Sequence, residues 1–361
     1  MRRSAPGSTA PRRIPGMRDE ACAVLTAGPA EFSTDPMTIG AADDRPAGLT
    51  IVAILPTFNR AELLGKALDS ALAAAVPDGS EVCIVVVDNN STDRTREIVA
   101  GYIERHGPRR VRYLFEPRQG RQFALNRGIA DTSSDIVAMF DDDEILESTW
   151  FEVIADCFKD QQIDFIGGPY RPDWSAPAPE WLPENGYGGV LGIIDNGPTR
   201  RRYDSPGFGA MLSGGNSAIR RRALEKCGPY SDSYMYAEDR YMYGQLCKTG
   251  AVGYYIPELV IYHHIPEKRL NKAYFRHWAL TEGGNRGAFA VGDGARHWAL
   301  GAPLWMWRRT AEAALRICLG HASGRANRPQ TFKAELDCLQ FAGFLRGRLT
   351  GPARTQRFDR S

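Results

Sequence analysis

Apolar and polar positions change period several times along the chain. Residues 49–55 form a continuous, β-branched apolar run bounded by Pro56, the pattern of a strand covered on both faces. Leu63, Leu64, Ala67, Leu68, Ala71 and Leu72 then recur at helical spacing. A second buried strand at 82–87, a helix after Ser91-Thr92-Asp93, a strand at 111–115, a helix at 122–130 and a strand at 136–140 follow. This alternation predicts an α/β fold, a mostly parallel sheet with helices on both faces. In such sheets ligands bind at the carboxyl ends of the strands. Three polar clusters fall there: Pro56-Thr57-Phe58-Asn59, Asp88-Asn89-Asn90-Ser91 and Asp141-Asp142-Asp143.

The pattern is irregular over residues 164–262, with a Pro/Trp-rich loop at 172–183, a Gly-rich segment at 213–216 and a helix at 238–248. Beyond Asn271 the chain reads as helices. Residues 1–47 are rich in Pro, Gly, Ala, Arg and Ser without hydrophobic period, which predicts a disordered leader. Three regions are therefore expected: the leader at 1–47, a catalytic domain at 48–270 and a helical C-terminal region at 271–361. In the last, Leu304, Trp307, Ala311, Ala314, Leu315 and Cys318 share one helical face. Phe332, Leu336 and Leu339 repeat the pattern, and Arg346, Arg348, Arg354, Arg357 and Arg360 follow. Two readings stand, helices packed on the catalytic domain or a peripheral membrane anchor.

Composition narrows the choice of partners. The 361 residues are 43% hydrophobic and 24% charged with a formal net charge of +2, too little to argue for nucleic acid. Seven cysteines without a Cys-x-x-Cys pair exclude a dense disulfide framework and fit a reducing compartment. No segment approaches the ~20 apolar residues of a membrane span, and no apolar stretch follows the Met-Arg-Arg-Ser start. A cytoplasmic protein is expected, with peripheral contact at the cytoplasmic membrane face left open.

The chemistry concentrates in few residues. Asp141-Asp142-Asp143-Glu144 is a run of mutually repelling carboxylates, and a hard divalent cation, magnesium or manganese, would offset the charge and bridge to substrate phosphates. The bland alternative is a solvated turn capping a following helix. Asp88-Asn89-Asn90-Ser91 suits a helix N-cap and equally a phosphate or base site. Glu238-Asp239 opens a helix, where acids are common, and His263-His264 follows an apolar run, where histidines are usually structural.

Taken in order, several segments resemble the family-2 glycosyltransferases, which have the GT-A fold. They are Pro56-Thr57-Phe58-Asn59-Arg60, Val87-Asp88-Asn89-Asn90-Ser91-Thr92-Asp93, Ala124-Leu125-Asn126-Arg127-Gly128, Asp141-Asp142-Asp143, Gly215-Asn216-Ser217-Ala218-Ile219-Arg220-Arg221, Glu238-Asp239, and His263 within His-His-Ile-Pro-Glu-Lys-Arg. The resemblance spans residues 49–284 and implies a GT-A catalytic domain at 48–270. It implies that Pro56, Thr57, Asp88 and Asn89 hold the nucleoside, with Asn59, Asn126, Asp142, Gly215, Asn216 and Glu238 also lining the nucleotide-sugar site. Asp141 and Asp143 would be the ends of an Asp-x-Asp metal–diphosphate site, and His263 a further metal or diphosphate contact with His264 as rival. Arg121, or Arg118, would touch the diphosphate. Asp239 would be the general base.

The function so implied is transfer of a single sugar, with inversion, from a UDP-, dTDP- or GDP-type donor to an acceptor hydroxyl, a lipid-linked one included. Cell-envelope polysaccharide, glycolipid or secondary-metabolite glycosylation are the settings. Asn89 stands where many members have aspartate, which leaves the donor nucleotide open. No Gln-x-x-Arg-Trp follows Asp239, which speaks against a processive synthase. Two rivals are a GT-A-like nucleotidyltransferase and a catalytically silent sugar-nucleotide-binding protein. A glycine-rich phosphate loop, which the first would need, is missing after the first strand, as is the Gly-x-Gly-x-x-Gly of a dehydrogenase.

Overall fold

A computed structural model describes residues 37–38, 48–183, 188–232, 238–289, 297–325 and 327–350. Within the expected leader, Met37–Thr38 pairs in parallel with Thr132–Ser133; the rest of 1–47, and Arg354, Arg357 and Arg360, lie outside the described residues.

The first half follows the alternation read from the sequence. It comprises β1 (Thr50–Thr57), α1 (Ala61–Ala73), β2 (Glu81–Asp88), α2 (Thr95–His106), β3 (Val111–Phe115), α3 (Arg121–Ala130) and β4 (Ile136–Met139). These four strands are parallel, in the order β4-β1-β2-β3. Alternate residues of each strand enter opposite cores. Ile51, Ala53, Leu55, Ile84 and Val86 pack with α1 and α2; Val52, Ile54, Val85 and Val87 pack with α3. Burial on both faces explains why the strands read as continuous apolar runs.

β1 extends through Pro56 to Thr57, past the expected boundary. Pairing with β4 stops at Ile54↔Met139 while pairing with β2 runs on to Thr57↔Asp88. Successive residues of a parallel strand address opposite neighbours, so the absent N–H of Pro56 faces the side where the ladder has ended.

The region expected to be irregular supplies the other half of the sheet. It contains β5 (Glu144–Leu146), α4 (Trp150–Cys157), β6 (Phe165–Gly167), β7 (Tyr170–Trp174), β8 (Arg201–Arg202), β9 (Ser217–Arg220), α5 (Arg221–Cys227), α6 (Glu238–Lys248), β10 (Gly253–Tyr255) and β11 (Ile261–Ile265). The full sheet runs β8-β10-β6-β9-β4-β1-β2-β3, with β9 antiparallel to both β4 and β6. A second sheet, β5-β11-β7, stands beside it. The acidic run therefore does not cap a helix: Glu144 starts β5 and pairs with His263 on β11.

Asn216 pins these pieces together. It is fully buried, accepts from Trp150 Nε1 at 2.9 Å, and donates to the carbonyls of Pro169 at 3.0 Å and Leu259 at 2.7 Å.

Three helices complete the described chain: α7 (Lys272–Phe289), α8 (Leu304–Ala322) and α9 (Pro329–Thr350). Phe275 and Ala279 of α7 and Phe332 and Leu336 of α9 bury Ile265 of β11. Along the later part of the α7–α9 seam the backbones meet without side chains between them. A Cβ on Gly283 or Gly287 would strike the carbonyls of Gln340 or Phe344, and one on Gly343 or Gly347 those of Leu280 or Gly284.

Truncating the Asn216 amide strands an indole N–H and two carbonyls in the interior. Asn216→Ala is expected to cost about 2–4 kcal/mol, read as a lowered urea midpoint at unchanged m-value. An unchanged midpoint would remove Asn216 from the fold's polar framework.

Candidate active site

The polar ends of β1, β2 and β4 converge as the topology requires, and short hydrogen bonds lock them. Asn59, at φ 51°, accepts from the Thr92 N–H at 2.7 Å, while its own N–H donates to Ser91 Oγ at 3.0 Å. Asp93 accepts from the Ala61 N–H at 3.0 Å, which meets the N-terminus of α1. Asp88 accepts from the Ser91 N–H and the Tyr113 hydroxyl, each at 2.8 Å. Asn89 donates to the Arg118 carbonyl at 2.6 Å and accepts from the Gly120 N–H at 2.8 Å. Asp88 and Asn89 are both buried. Their side chains thus brace the rim of the site, and the loop from Glu116 to Gly120 that launches α3 hangs on Asn89.

Six carboxylates lie beyond this rim, with two guanidinium groups among them. Arg60 Nη1 bonds Asp142 Oδ1 at 2.8 Å and Asp143 Oδ2 at 2.7 Å; Thr57 Oγ1 donates to Asp142 Oδ2 at 2.8 Å. Arg121 holds Asp141 Oδ1 through Nε at 2.9 Å and Nη2 at 2.8 Å. Its Nη1 reaches Asp239 Oδ1 at 3.1 Å and Glu238 Oε1 at 3.5 Å. Arg121 therefore bridges the β4 end to the start of α6. Arg118, the alternative, turns away to Glu116 and is largely exposed.

Burial pushes the Asp142 carboxyl up to about 6, Asp143 adding to the effect and Arg60 and Thr57 opposing it. Burial acts on Asp143 too, but the neighbouring His263 and the Arg60 charge outweigh it and hold that carboxyl well below the usual range. Glu144 is buried, and desolvation with the charges of Asp141 and Asp143 pushes it well above its ordinary value.

Glu144 Oε2 accepts from the Asp141 N–H at 2.7 Å. Ligand oxygens of Asp141, Asp143 and Glu144 lie within 4.8 Å of one another, so this hard oxygen set fits magnesium or manganese. His263 Nε2 stands 3.6 Å from Asp143 Oδ2 and lies outside that set of three. Strand alternation sends His264 the other way, to Asp173 at 3.3 Å, while its N–H donates to the Asp143 carbonyl at 2.8 Å.

Gly214 and Gly215 form the floor. A Cβ on Gly215 would lie 2.9 Å from Asp141 Oδ2 and 3.1 Å from the Tyr170 hydroxyl; one on Gly214 would collide with Asp239 Oδ1. The neighbouring Asn216 is the buried clamp described above, and Asn126 is occupied likewise, exchanging bonds of 2.8 Å with both backbone groups of Tyr230. The fold thus brings Thr57, Arg121, Asp141, Asp142, Asp143, Gly215, Glu238, Asp239 and His263 together and commits Asn126 and Asn216 to the framework. Sequence reasoning gave Arg60 and Glu144 no individual role. The signal for Arg60 was a basic residue at a strand end facing an acidic run. With it and Arg121 in place, the acidic run is already partly neutralised by the protein itself.

The model of the family described as Glycosyl transferase family 2 matches residues 52–228, a span holding both Arg60 and the acidic run. The succinoglycan biosynthesis protein ExoM of Rhizobium meliloti (strain 1021) is 24% identical over 235 residues, 64% of this chain and 72% of that protein. The glucosyl-dolichyl phosphate glucuronosyltransferase of Haloferax volcanii is 24% identical over 189 residues, 50% of this chain and 55% of that protein. Of several other curated relatives the chain spans about a third to a half. Among solved structures, mannosyltransferase PcManGT from Pyrobaculum calidifontis, in complex with GDP-Man and Mn2+, aligns with TM-score 0.56 and 19% identity over 89% of this chain and 90% of that one. That likeness is one of fold, and it extends the GT-A architecture over both halves of the sheet. With the family model matched from β1 to the end of α5, the chain is a member of glycosyl transferase family 2.

Proposed function

We propose that this glycosyltransferase moves a single sugar from a nucleoside-diphosphate donor to an acceptor hydroxyl with inversion, with Asp239 as general base and a divalent cation held by Asp141, Asp143 and Glu144. The observation that carries the reading is the charge balance at the sheet edge. Six carboxylates surround two arginines, so a diphosphate entering there needs further positive charge. Bound magnesium or manganese would supply it and stabilise charge on the leaving diphosphate. Support comes from PcManGT, whose complex contains GDP-Man and Mn2+, and from relatives named for succinoglycan biosynthesis and a dolichyl phosphate glucuronosyltransferase. These point to cell-envelope polysaccharide or glycolipid assembly and to a lipid-linked acceptor.

The residues divide the work. Asp239 is more exposed than Glu238, and its Oδ2 takes no bond from any described residue. Arg121 fixes Oδ1, leaving Oδ2 to accept the acceptor's proton as its oxygen attacks the anomeric carbon. The new C–O bond forms as the bond to the diphosphate breaks, from the opposite face, which inverts the centre. His263 and Arg60 fix Asp143, and Thr57 fixes Asp142. Asp88 and Asn89 shape the nucleoside end through the loops they brace.

Asp239→Asn keeps the contact to Arg121 but cannot take a proton. Turnover should fall about 10²–10⁴-fold with donor affinity nearly unchanged. Near wild-type turnover would dismiss Asp239 as base, and lost donor binding would make it a binding residue.

Chelation should abolish transfer reversibly, and Asp141→Ala or Asp143→Ala should do so permanently. Each alanine variant leaves its arginine another carboxylate partner, so circular dichroism should show a retained fold. Full turnover in excess chelator would refute the metal requirement.

Gly214→Ala pushes a methyl group into Asp239 Oδ1 while touching nothing in the hydrophobic cores. A displaced base costs about 10²-fold in turnover, with the melting temperature little changed. Unaltered turnover would show that the floor does not position Asp239.

A further inference from the structure

An apolar stripe of α8 faces solvent, with Arg308 and Glu312 paired at 3.5 Å on the same side. Leu304, Leu315 and Leu319 are 49%, 60% and 59% exposed, Trp305 is 48% exposed, and Ala311, Cys318 and Ala322 are exposed between them. The face turned to α9 is the narrower one, with Ala313 and Gly320 buried and Met306, Thr310 and Ile317 half-buried. The apolar stripe read from the sequence is thus not the stripe that packs on the protein: of its six residues only Trp307 is half-buried.

The exposed stripe continues into a neighbouring turn. Trp307 Nε1 donates to the Ala299 carbonyl at 2.8 Å, and the Leu304 N–H donates to the His297 carbonyl at 3.1 Å. These bonds bind a hairpin, Trp298–Ala299 with Ala302–Pro303, to the first turns of α8. At its tip Leu300, at φ 46°, is 85% exposed. The end of α9 lies there too, since Arg348 sits 5.6 Å from the Trp298 ring and Phe344 packs 6.5 Å from it. Leu349, beside Arg348, is 87% exposed.

Basic residues accompany this apolar surface. Residues 297–350 hold eight arginines and lysines against three acidic residues, in a chain whose formal net charge is only +2. Arg308 and Arg316 lie on the exposed side of α8. A helix with leucine and tryptophan outward and arginines along it matches a bilayer interface, where apolar side chains enter the acyl boundary and cations meet anionic headgroups. A second copy of the chain would bring the same excess of positive charge to the same place.

We infer that α8, with the Leu300 hairpin tip and the end of α9, docks the protein on an anionic phospholipid surface. The other end of α9, through Phe332 and Leu336, packs with Ile265 of β11. The inference is independent of the transfer chemistry.

Flotation of the full-length protein with vesicles of equal parts phosphatidylglycerol and phosphatidylcholine tests it, beside vesicles of phosphatidylcholine alone. The protein should float with the anionic vesicles, and added salt should release it in part. The triple variant L304E/L315E/L319E should bind at least about tenfold more weakly, with helical content retained and turnover on a water-soluble acceptor unchanged. Arg308→Ala and Arg316→Ala should each lower anionic binding about fivefold and leave binding to neutral vesicles alone. No flotation, or equal flotation of wild type and the triple variant, would overturn the assignment. So would a concentration-dependent dimer in sedimentation that the triple variant abolishes, since the face would then belong to a second copy.

Discussion

The sharing of two guanidinium groups among six carboxylates is the constraint on which this active site depends. Arg60 joins the ends of β1 and β4, and Arg121 joins the end of β4 to the first turn of α6, reaching an Asp239 that lies 118 residues from it in sequence. Buried ion pairs of this kind contribute little net stability, because desolvation offsets most of the attraction. Their value is positional. Asp141 at the end of β4 and Asp239 at the start of α6 hang on one planar group, so the spacing between these two carboxylates follows from the size of a guanidinium.

Much of this was legible in the sequence where the chain is periodic. The parallel half of the sheet shows plainly because strands buried on both faces are long apolar runs, and the strand-end clusters fall where a parallel sheet gathers its ligands. The second half was opaque because β6, β9 and β10 span only three or four residues each, too short for a period to register. Arg60 and Glu144 were hidden for another reason. Their significance lies in partners across the fold, and linear spacing carries no information about them.

Motif residues and contact residues also part company. Asn126 and Asn216 sit in family-like segments, yet each spends its amide on backbone or indole partners inside the protein. Asp88 and Asn89 do the same for the loops after β2 and β3. Gly214 and Gly215 matter for what they omit, since two missing methyl groups make room for Asp141, Asp239 and Glu144 to converge. A pattern retained for scaffolding and one retained for contact look alike in a sequence; burial and hydrogen-bond satisfaction separate them.

The α7–α9 seam has a mechanical consequence. Where Gly283, Gly287, Gly343 and Gly347 meet opposing carbonyls, no side chain stands between the two helices to rotate or repack. Compliance in a protein interior resides largely in rotamers and voids, and this stretch of the seam offers neither. Over this stretch the two helices are therefore held at a fixed spacing, whereas nearer Ile265 the rings of Phe275 and Phe332 stand between them and can repack.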